Sequence, residues 1–195
     1  MKNKNFITIF GISLILFVVL MTVVISFFKT PKEVKLEKLD GGSITLTYTD
    51  SFSGIQLLKV EPVNDSVGMK FDSADKFFDF SVNTSMEQAN KINYEISIKK
   101  DSKESTTLDE NIRVYLEKID NNKNTPVFGP ETYKPITKKT KIGTKSGYMV
   151  IYSGEKMKSG TDNFRLRVWL YDKAQFDKTA AQNITMNVSI SAKAS

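Results

Sequence analysis

Two hydrophobic patterns divide the chain. Residues 6–28 form a continuous apolar run that contains no charged residue. From residue 42 onward, apolar and polar residues alternate with a period of two, which indicates strands that bury one face and expose the other. No part of this second region predicts a long amphipathic helix. The pattern therefore predicts an N-terminal apolar helix followed by a mainly β domain.

The alternating segments are short, and polar turns separate them. They cover residues 44–48, 55–60, 78–82, 92–98, 112–116, 148–152, 164–170 and 184–190. About eight or nine half-buried strands at regular spacing are typical of an antiparallel sandwich rather than of a parallel α/β sheet. We therefore predict a jelly-roll-like antiparallel β-sandwich.

Four segments between the predicted strands are rich in turn-forming or charged residues. Residues 64–68 (NDSVG) and 120–125 (DNNKNT) predict turns. Residues 126–135 contain three prolines and a glycine, so we expect an irregular loop there. Residues 137–147 (TKKTKIGTKSG) contain four lysines and two glycines, which predicts a charged surface loop.

The apolar run at 6–28 is long enough to cross a membrane. A helix rises about 1.5 Å per residue, and the hydrocarbon core of a bilayer is about 30 Å thick. Lysines flank the run, and no small-x-small cleavage site follows it. We therefore predict a retained signal-anchor helix, with a cleaved leader as the alternative. The side chains predicted to contact lipid include Phe6, Phe10, Leu14, Leu16, Phe17, Leu20, Phe27 and Phe28.

The flanking charges do not fix the orientation of this helix. Two lysines precede it, whereas four lysines lie within residues 29–38, so the count alone leans away from a cytoplasmic N-terminus. A very short head before a long apolar helix nevertheless favours an exported C-terminal domain. We predict a basic head at 1–5, the anchor at 6–28, a juxtamembrane stalk or edge strand at 29–42, and the β-sandwich at 43–195.

Composition excludes several kinds of chemistry. The chain has 28 Lys and Arg against 22 Asp and Glu, a net charge of +6, and only three of the cations are arginines. This mild and interleaved charge does not predict a nucleic-acid partner. The chain contains neither Cys nor His, which excludes disulfides, thiol nucleophiles, the Ser-His-Asp triad and HExxH zinc sites. We predict a protein that is not an enzyme, although catalysis by carboxylates alone stays open.

One segment has oxygen ligands at the spacing of a calcium loop. Positions 1, 3, 5 and 12 of such a loop are held by Asp120, Asn122, Asn124 and Glu131. The sixth position, where the sharp turn needs glycine, is Thr125. A simple hairpin is therefore the competing interpretation. We therefore predict no cofactor, with calcium as the alternative.

Two surfaces are candidates for binding. Arg165, Arg167, Trp169 and Tyr171 share one face of the predicted strand at 164–171 and could hold a ligand or partner by cation–π and stacking contacts. In the alternative interpretation, the arginines pair with acidic residues across strands and Trp169 covers the sheet. The lysines of 137–147 suggest contact with an anionic surface polymer or lipid headgroups.

Two stretches resemble exported bacterial β-sandwich proteins. FDFSVNT at 78–84, followed by YEISI at 94–98, is similar to the F-x-F-x-V-x-N-T … Y-x-I-x-I layout of biofilm-matrix fibre subunits and camelysin-like proteins. FRLRVWL at 164–170, with the closing strand at 184–190, resembles the C-terminal half of exported Gram-positive proteins. The resemblance implies a bacterial source, a jelly-roll-like fold and a role at the cell surface or in extracellular fibres.

These observations predict a single-pass protein of the cell membrane with an extracellular β-sandwich. Its expected partners are other surface proteins, copies of itself or an anionic surface polymer. One alternative is a secreted fibre or matrix subunit that assembles by β-strand addition after its leader is cleaved. Another is a calcium- or carboxylate-dependent enzyme on a sandwich scaffold.

Overall fold

The structure, a computed structural model, describes residues 32–49, 52–121, 123–176 and 179–195, and for 32–37 it describes the backbone alone. The predicted head at 1–5 and membrane anchor at 6–28 lie outside these ranges. Within them, no helix is both long and apolar enough to cross a bilayer. The described residues belong to one compact unit, Lys32–Ser195.

The alternation in the sequence builds eleven strands in the described ranges. They are β1 (Lys32–Leu39), β2 (Gly42–Tyr48), β3 (Gly54–Leu57), β4 (Pro62–Val63), β5 (Phe78–Met86), β6 (Ile92–Lys100), β7 (Ile112–Asp120), β8 (Lys123–Thr132), β9 (Met149–Lys156), β10 (Gly160–Tyr171) and β11 (Ile184–Ala194). Helical structure there is limited to α1 (Asp65–Gly68) and a 3-10 turn at Asp109–Asn111. The prediction of a mainly β fold is confirmed.

The strands form two sheets. The larger sheet has the order β1-β2-β5-β10-β7-β8, with β4 paired to β10, and the smaller sheet has the order β3-β11-β6-β9. Neighbouring strands are antiparallel except for the two-residue contact between β4 and β10. The antiparallel arrangement predicted from the sequence is therefore confirmed.

The two sheets share one hydrophobic core. Apolar residues at alternate positions of β2, β5, β7 and β10 pack with those of β3, β6, β9 and β11. Phe164 of the larger sheet is fully buried, and its ring lies 5.5 Å from Phe80 and 5.1 Å from Tyr152 of the smaller sheet, measured between ring centroids. Aromatic contacts of this kind fix how the sheets face each other. The result is a sandwich-like fold.

Two segments differ from the sequence-based predictions. Residues 126–135 were expected to be irregular, but β8 runs through Pro126 and Pro130. Because β8 is an edge strand, its outer side needs no N–H donors, and register shifts against β7 absorb the prolines. The segment 64–68 was expected to be a turn, but its residues Asp65–Gly68 form the helix α1, which Asn64 caps by accepting a hydrogen bond from the Val67 N–H at 3.1 Å.

The segment 29–42, for which a stalk and an edge strand were both open, contains the edge strand β1. A tight turn at Asp40 and Gly41 joins β1 to β2. Gly41 has a φ of 77°, which favours glycine, and its carbonyl accepts the N–H groups of residues 87, 88 and 89. The turn therefore anchors the loop that follows β5.

A buried ion cluster ties the two sheets together at one end of the core. Asp162 on β10 is 6% exposed, and its carboxylate accepts hydrogen bonds from Lys118 Nζ at 2.8 Å and Lys156 Nζ at 2.7 Å. The Tyr94 hydroxyl donates a third bond at 2.6 Å. Burial by itself raises the pKa of the Asp162 carboxyl, but these three hydrogen bonds outweigh burial and hold the pKa below its usual range.

We expect the stability contributed by Asp162 to disappear in acid. A depressed folded-state pKa gives stability that is complete above the unfolded value of about 3.9 and is lost as the pH falls through the folded value. At pH 7, Asp162→Asn should lower the free energy of unfolding by about 2 kcal/mol. Urea unfolding of the full chain in mild detergent, followed by Trp169 fluorescence, should show that the wild type and the variant approach the same free energy of unfolding towards about pH 2. A difference in free energy that is the same at pH 7 and pH 2 would contradict the assignment.

Candidate ligand-binding site

The lysine-rich segment 137–147, called the lysine loop below, is closed at its base by backbone hydrogen bonds. The Ile136 N–H donates to the Tyr148 carbonyl at 2.7 Å, and the Gly147 N–H donates to the Ile136 carbonyl at 2.8 Å. Gly143 and Gly147 adopt positive φ angles of 134° and 84°, which let the chain reverse twice within a short span. The loop is thus a built structure on the surface of the smaller sheet.

A buried glutamate pins the lysine loop to the sheet. Glu95 lies on the outer face of β6 and is 7% exposed. Its Oε2 accepts hydrogen bonds from the hydroxyls of Thr140 and Thr144, each at 2.6 Å. The Thr140 hydroxyl oxygen accepts in turn from the N–H groups of Gly143 and Thr144. Short hydrogen bonds to a carboxylate are stronger than neutral ones, so they hold the loop in one position.

The loop forms one wall of a cleft of about 310 Å³, called the lysine cleft below. Lys139, Lys145 and Tyr148 line the wall, and hydroxyl groups contribute to the floor. The apolar end of the cleft reaches the flank of the sandwich, where the β1–β2 hairpin approaches β11. The hydroxyl and apolar residues that line it include Ser97, Ser189, Ser191, Leu39, Ile44 and Ile142.

The charges at the lysine cleft are predominantly positive. Lys139 and Lys145 are exposed, and neither forms a salt bridge with another residue in the described part of the chain. Lys99 lies nearby, with its Nζ 5.4 Å from the centroid of the Tyr148 ring. Glu95 lies beneath the loop and is buried. The cleft can therefore offer ammonium groups, hydroxyl donors and an aromatic edge to an anionic ligand.

A second cleft, of about 480 Å³, lies between residues 56–63 and 71–76. Its exposed rim carries charges of both signs, from Lys59 and Lys76 and from Glu61 and Asp75. Such a rim gives no preference for an anionic or a cationic ligand. The lysine cleft is therefore the better-defined candidate.

Arg165, Arg167, Trp169 and Tyr171 share the outer face of β10, but their contacts lie within the protein. Arg165 donates two hydrogen bonds to the Asp79 carboxylate, at 2.7 and 2.6 Å. The Tyr171 ring lies under the Arg113 guanidinium, 4.0 Å from centroid to Cζ. These cross-strand contacts correspond to the alternative interpretation of this face, in which the arginines pair with their neighbours.

The two central members of this face are buried. Arg167 is 4% exposed; it donates to Glu117 at 2.6 Å and to the Phe71 carbonyl at 2.7 Å. Trp169 is 1% exposed, because α1 packs over its ring so closely that a Cβ at Gly68 would lie 2.2 Å from a ring atom. Sequence alternation does not reveal that a distant segment of the chain covers the outer face. Arg167 and Trp169 are therefore not accessible to a partner.

The residues of the predicted calcium loop lie on the β7–β8 hairpin. Asn124 is near the turn, where its side-chain amide donates to Glu117 at 3.1 Å. Glu131 is opposite Val114, seven residues further along β8, which corresponds to roughly 20 Å of extended strand. Asp120 is at the turn, and Asn122 lies outside the described residues. The structure therefore does not bring Asn124 and Glu131 together.

A metal site is not evident elsewhere in the described part of the chain. No group of three or more Asp and Glu residues there is arranged to hold an ion. The buried carboxylates of Asp162 and Glu117 have lysine or arginine partners, which match their charge within the fold. The buried Glu95 carboxylate instead accepts hydrogen bonds from the hydroxyls of Thr140 and Thr144.

Sequence reasoning found the lysines of the site but missed the residues that position them. Glu95 occupies a polar position in an alternating strand, where an exposed glutamate would give the same pattern. The spacing of Thr140 and Thr144 around Gly143 is the one local signal of a closed loop. Which strand the loop crosses is a tertiary property, so Ser97 and Ser189 could not be assigned to the cleft.

Comparisons with known proteins add no functional argument. No family model matches the chain, and no curated protein matches it. Among solved structures, the chain is similar to one described as "AvmM Catalyzes Macrocyclization in Alchivemycin A Biosynthesis", with a TM-score of 0.31 and 9% sequence identity over 84% of this chain and 96% of that one. A likeness of this strength does not bear on activity, so the site is assessed from its own geometry.

Proposed function

We propose that this is a membrane-anchored, non-enzymatic cell-surface protein whose β-sandwich binds an anionic surface partner at the lysine cleft. The lysine loop carries the proposal, because the Glu95 carboxylate holds it in a position where Lys139 and Lys145 line a cleft that also contains hydroxyl groups. The apolar run at 6–28, which is long enough to cross a bilayer, supports the anchor, and the extracellular location of the β-sandwich is part of the proposal.

The pinned loop favours binding over a merely solvated surface. Most lysines on a protein surface are mobile, and ordering them against a ligand costs about 0.5–1.5 kcal/mol per side chain. In the lysine loop, the hydrogen bonds of Thr140 and Thr144 have already fixed the backbone that carries Lys139 and Lys145. The cost of ordering the loop backbone is therefore met during folding, and only the two lysine side chains remain to be ordered by the ligand.

Binding of a soluble polyanion tests the proposal. The full chain in mild detergent should bind long-chain polyphosphate but not neutral dextran. The variant Lys139→Gln/Lys145→Gln should bind about fivefold more weakly, since two exposed charge contacts contribute about 1 kcal/mol together. The difference should shrink as salt is raised, because exposed charges are screened over about 8 Å at physiological ionic strength. Isothermal titration calorimetry measures each affinity.

A matched double variant separates this site from general positive charge. Lys70 and Lys158 are exposed lysines outside the cleft lining. Lys70→Gln/Lys158→Gln removes the same net charge, and we expect it to leave polyphosphate affinity within about twofold of the wild type. If the two double variants weaken binding equally, the chain is a diffuse cation and the lysine cleft is not its binding site.

A further inference from the structure

The second cleft has two walls, and its first wall, residues 56–63, is held in an unusual backbone conformation. Lys59 has a φ of 51° and is one of the two non-glycine residues with positive φ in the described ranges. Its N–H donates to Asn183 Oδ1 at 2.9 Å, and the Val60 N–H donates to the Gln182 carbonyl at 2.8 Å. Such conformations persist where the surroundings enforce them, and they cluster at ligand-binding sites.

The second wall, residues 71–76, is fixed to the larger sheet. The Phe71 carbonyl accepts a hydrogen bond from Arg167 Nε on β10 at 2.7 Å. Trp169 and Leu170 of the same strand are buried and also line the cleft. Both walls are therefore in place before a ligand arrives. The volume of about 480 Å³ lies within the range of about 300–1,000 Å³ that small-molecule sites have.

Apolar side chains of the cleft lining remain open to water. Leu58, directly before the kink at Lys59, is 66% exposed, an unusual degree for a leucine in a cleft. Val60, Val63 and Phe71 are half-buried and line the same cleft. A ligand with apolar groups would remove these surfaces from water, which favours binding. The lining therefore selects for an apolar ligand.

The charges on the rim restrict the ligand further. Each wall carries one exposed cation and one exposed anion, and the four residues are Lys59, Glu61, Asp75 and Lys76. None of the four forms a salt bridge with another residue in the described part of the chain. Lys76 Nζ lies 4.8 Å from the centroid of the Phe71 ring, so its charge is beside the apolar lining. A ligand with one charge would meet repulsion as well as attraction, whereas one with both charges can pair with each sign.

We propose that the second cleft binds a short apolar peptide with free termini. Its terminal ammonium group pairs with the rim carboxylates, its terminal carboxylate pairs with the rim lysines, and its side chains cover Leu58 and Phe71. Four free charges and four accessible apolar side chains are more than a single amino acid can contact, which favours a peptide. The second cleft and the lysine cleft share no lining residue, so this site is additional to the proposed function.

The dipeptide leucyl-phenylalanine tests this inference. The full chain is placed in lipid nanodiscs, so that no detergent monomer competes for the apolar lining, and isothermal titration calorimetry should show saturable binding. Glycyl-glycine has the same charges without apolar side chains and should bind at least about tenfold more weakly. Leucyl-phenylalanine with an acetylated N-terminus and an amidated C-terminus should bind about fivefold more weakly, because it loses both charge contacts. Saturating polyphosphate should not displace the dipeptide.

Matched variants assign the binding to the second cleft. Leu58→Ser should weaken dipeptide binding about tenfold, whereas Met157→Ser should leave it unchanged, since Met157 is 67% exposed but does not line the cleft. Both side chains are exposed, so neither variant should alter urea unfolding. In Lys59→Gln/Lys76→Gln, leucyl-phenylalanine and its C-terminal amide should bind equally, because the partners of the carboxylate are gone.

Each of three results would overturn the inference. Glycyl-glycine that binds as tightly as leucyl-phenylalanine would show that the apolar lining plays no part. A doubly capped dipeptide that binds as tightly as the free one would show the same for the rim charges. Absence of dipeptide binding, or an equal loss in Leu58→Ser and Met157→Ser, would exclude the second cleft as the site. Polyphosphate binding by the same sample would still support the proposed function, so the two failures are distinguishable.

Discussion

Arg167→Met is expected to lower the free energy of unfolding by about 3–5 kcal/mol. The guanidinium of Arg167 is buried and lies 2.6 Å from Glu117 Oε2. Removing it leaves the Glu117 carboxylate with weaker partners, the Asn124 amide at 3.1 Å and the Tyr115 hydroxyl at 3.2 Å. An uncompensated buried charge costs more than the lost bond itself. Urea unfolding followed by Trp169 fluorescence measures the change.

Two controls make this prediction specific to burial. Arg165→Met removes a similar charge pair whose arginine lies on the same strand, but the side chain of its partner Asp79 on β5 is 43% exposed, so we expect a loss of less than about 1 kcal/mol. Removing both buried partners with Arg167→Met/Glu117→Leu should recover at least half of the stability lost by the single variant. If Arg167→Met loses no more unfolding free energy than Arg165→Met, Arg167 and Glu117 do not act as a buried charge pair.

Phe164→Ala should also cost about 3–5 kcal/mol, through loss of buried area and a cavity in the core. Phe164 is fully buried and contacts aromatic rings of both sheets, Phe80 at 5.5 Å and Tyr152 at 5.1 Å. Neighbouring side chains cannot collapse far in a close-packed interior, so most of the ring volume would remain as a void. Thermal unfolding and urea titration of the full chain in mild detergent provide independent measurements.

The matched apolar control is Val67→Ala. Val67 lies on α1 and is 45% exposed, so its truncation should change the free energy of unfolding by no more than about 0.5 kcal/mol. Phe164→Leu, which keeps most of the apolar volume, should fall between the two. If Phe164→Ala is no more destabilising than Val67→Ala, the two sheets do not share the core described above.

Alternation in the sequence was sufficient to predict the sheets where one face is buried and the other is polar. Ile92, Tyr94, Ile96 and Ile98 were expected on one face of a strand, and all four are buried on β6. The same rule could not detect a strand through prolines, and β8 was missed because its edge position removes the usual penalty. Edge position depends on the order of strands in the sheet, which single-strand patterns do not contain.

The candidate site was predicted only in part, for a related reason. The lysines of 137–147 stand out in the sequence, but Glu95 gives no sign that it is buried. Conversely, the alternation predicts that Arg167 and Trp169 are exposed, but α1 and Phe71 cover them. Both outcomes follow from segments that cross the outer face of a sheet, and a pattern of period two cannot show such coverage.

Lysine acetylation of the full chain with and without polyphosphate tests the central claim most directly. Mass spectrometry should show Lys139 and Lys145 protected from the amine reagent by polyphosphate, because the ligand covers the lysine cleft. Lys70 and Lys158, exposed but outside the cleft, should react at unchanged rates. Uniform protection of all four lysines, or protection that spares Lys139 and Lys145, would contradict the assignment of the binding site to the lysine cleft.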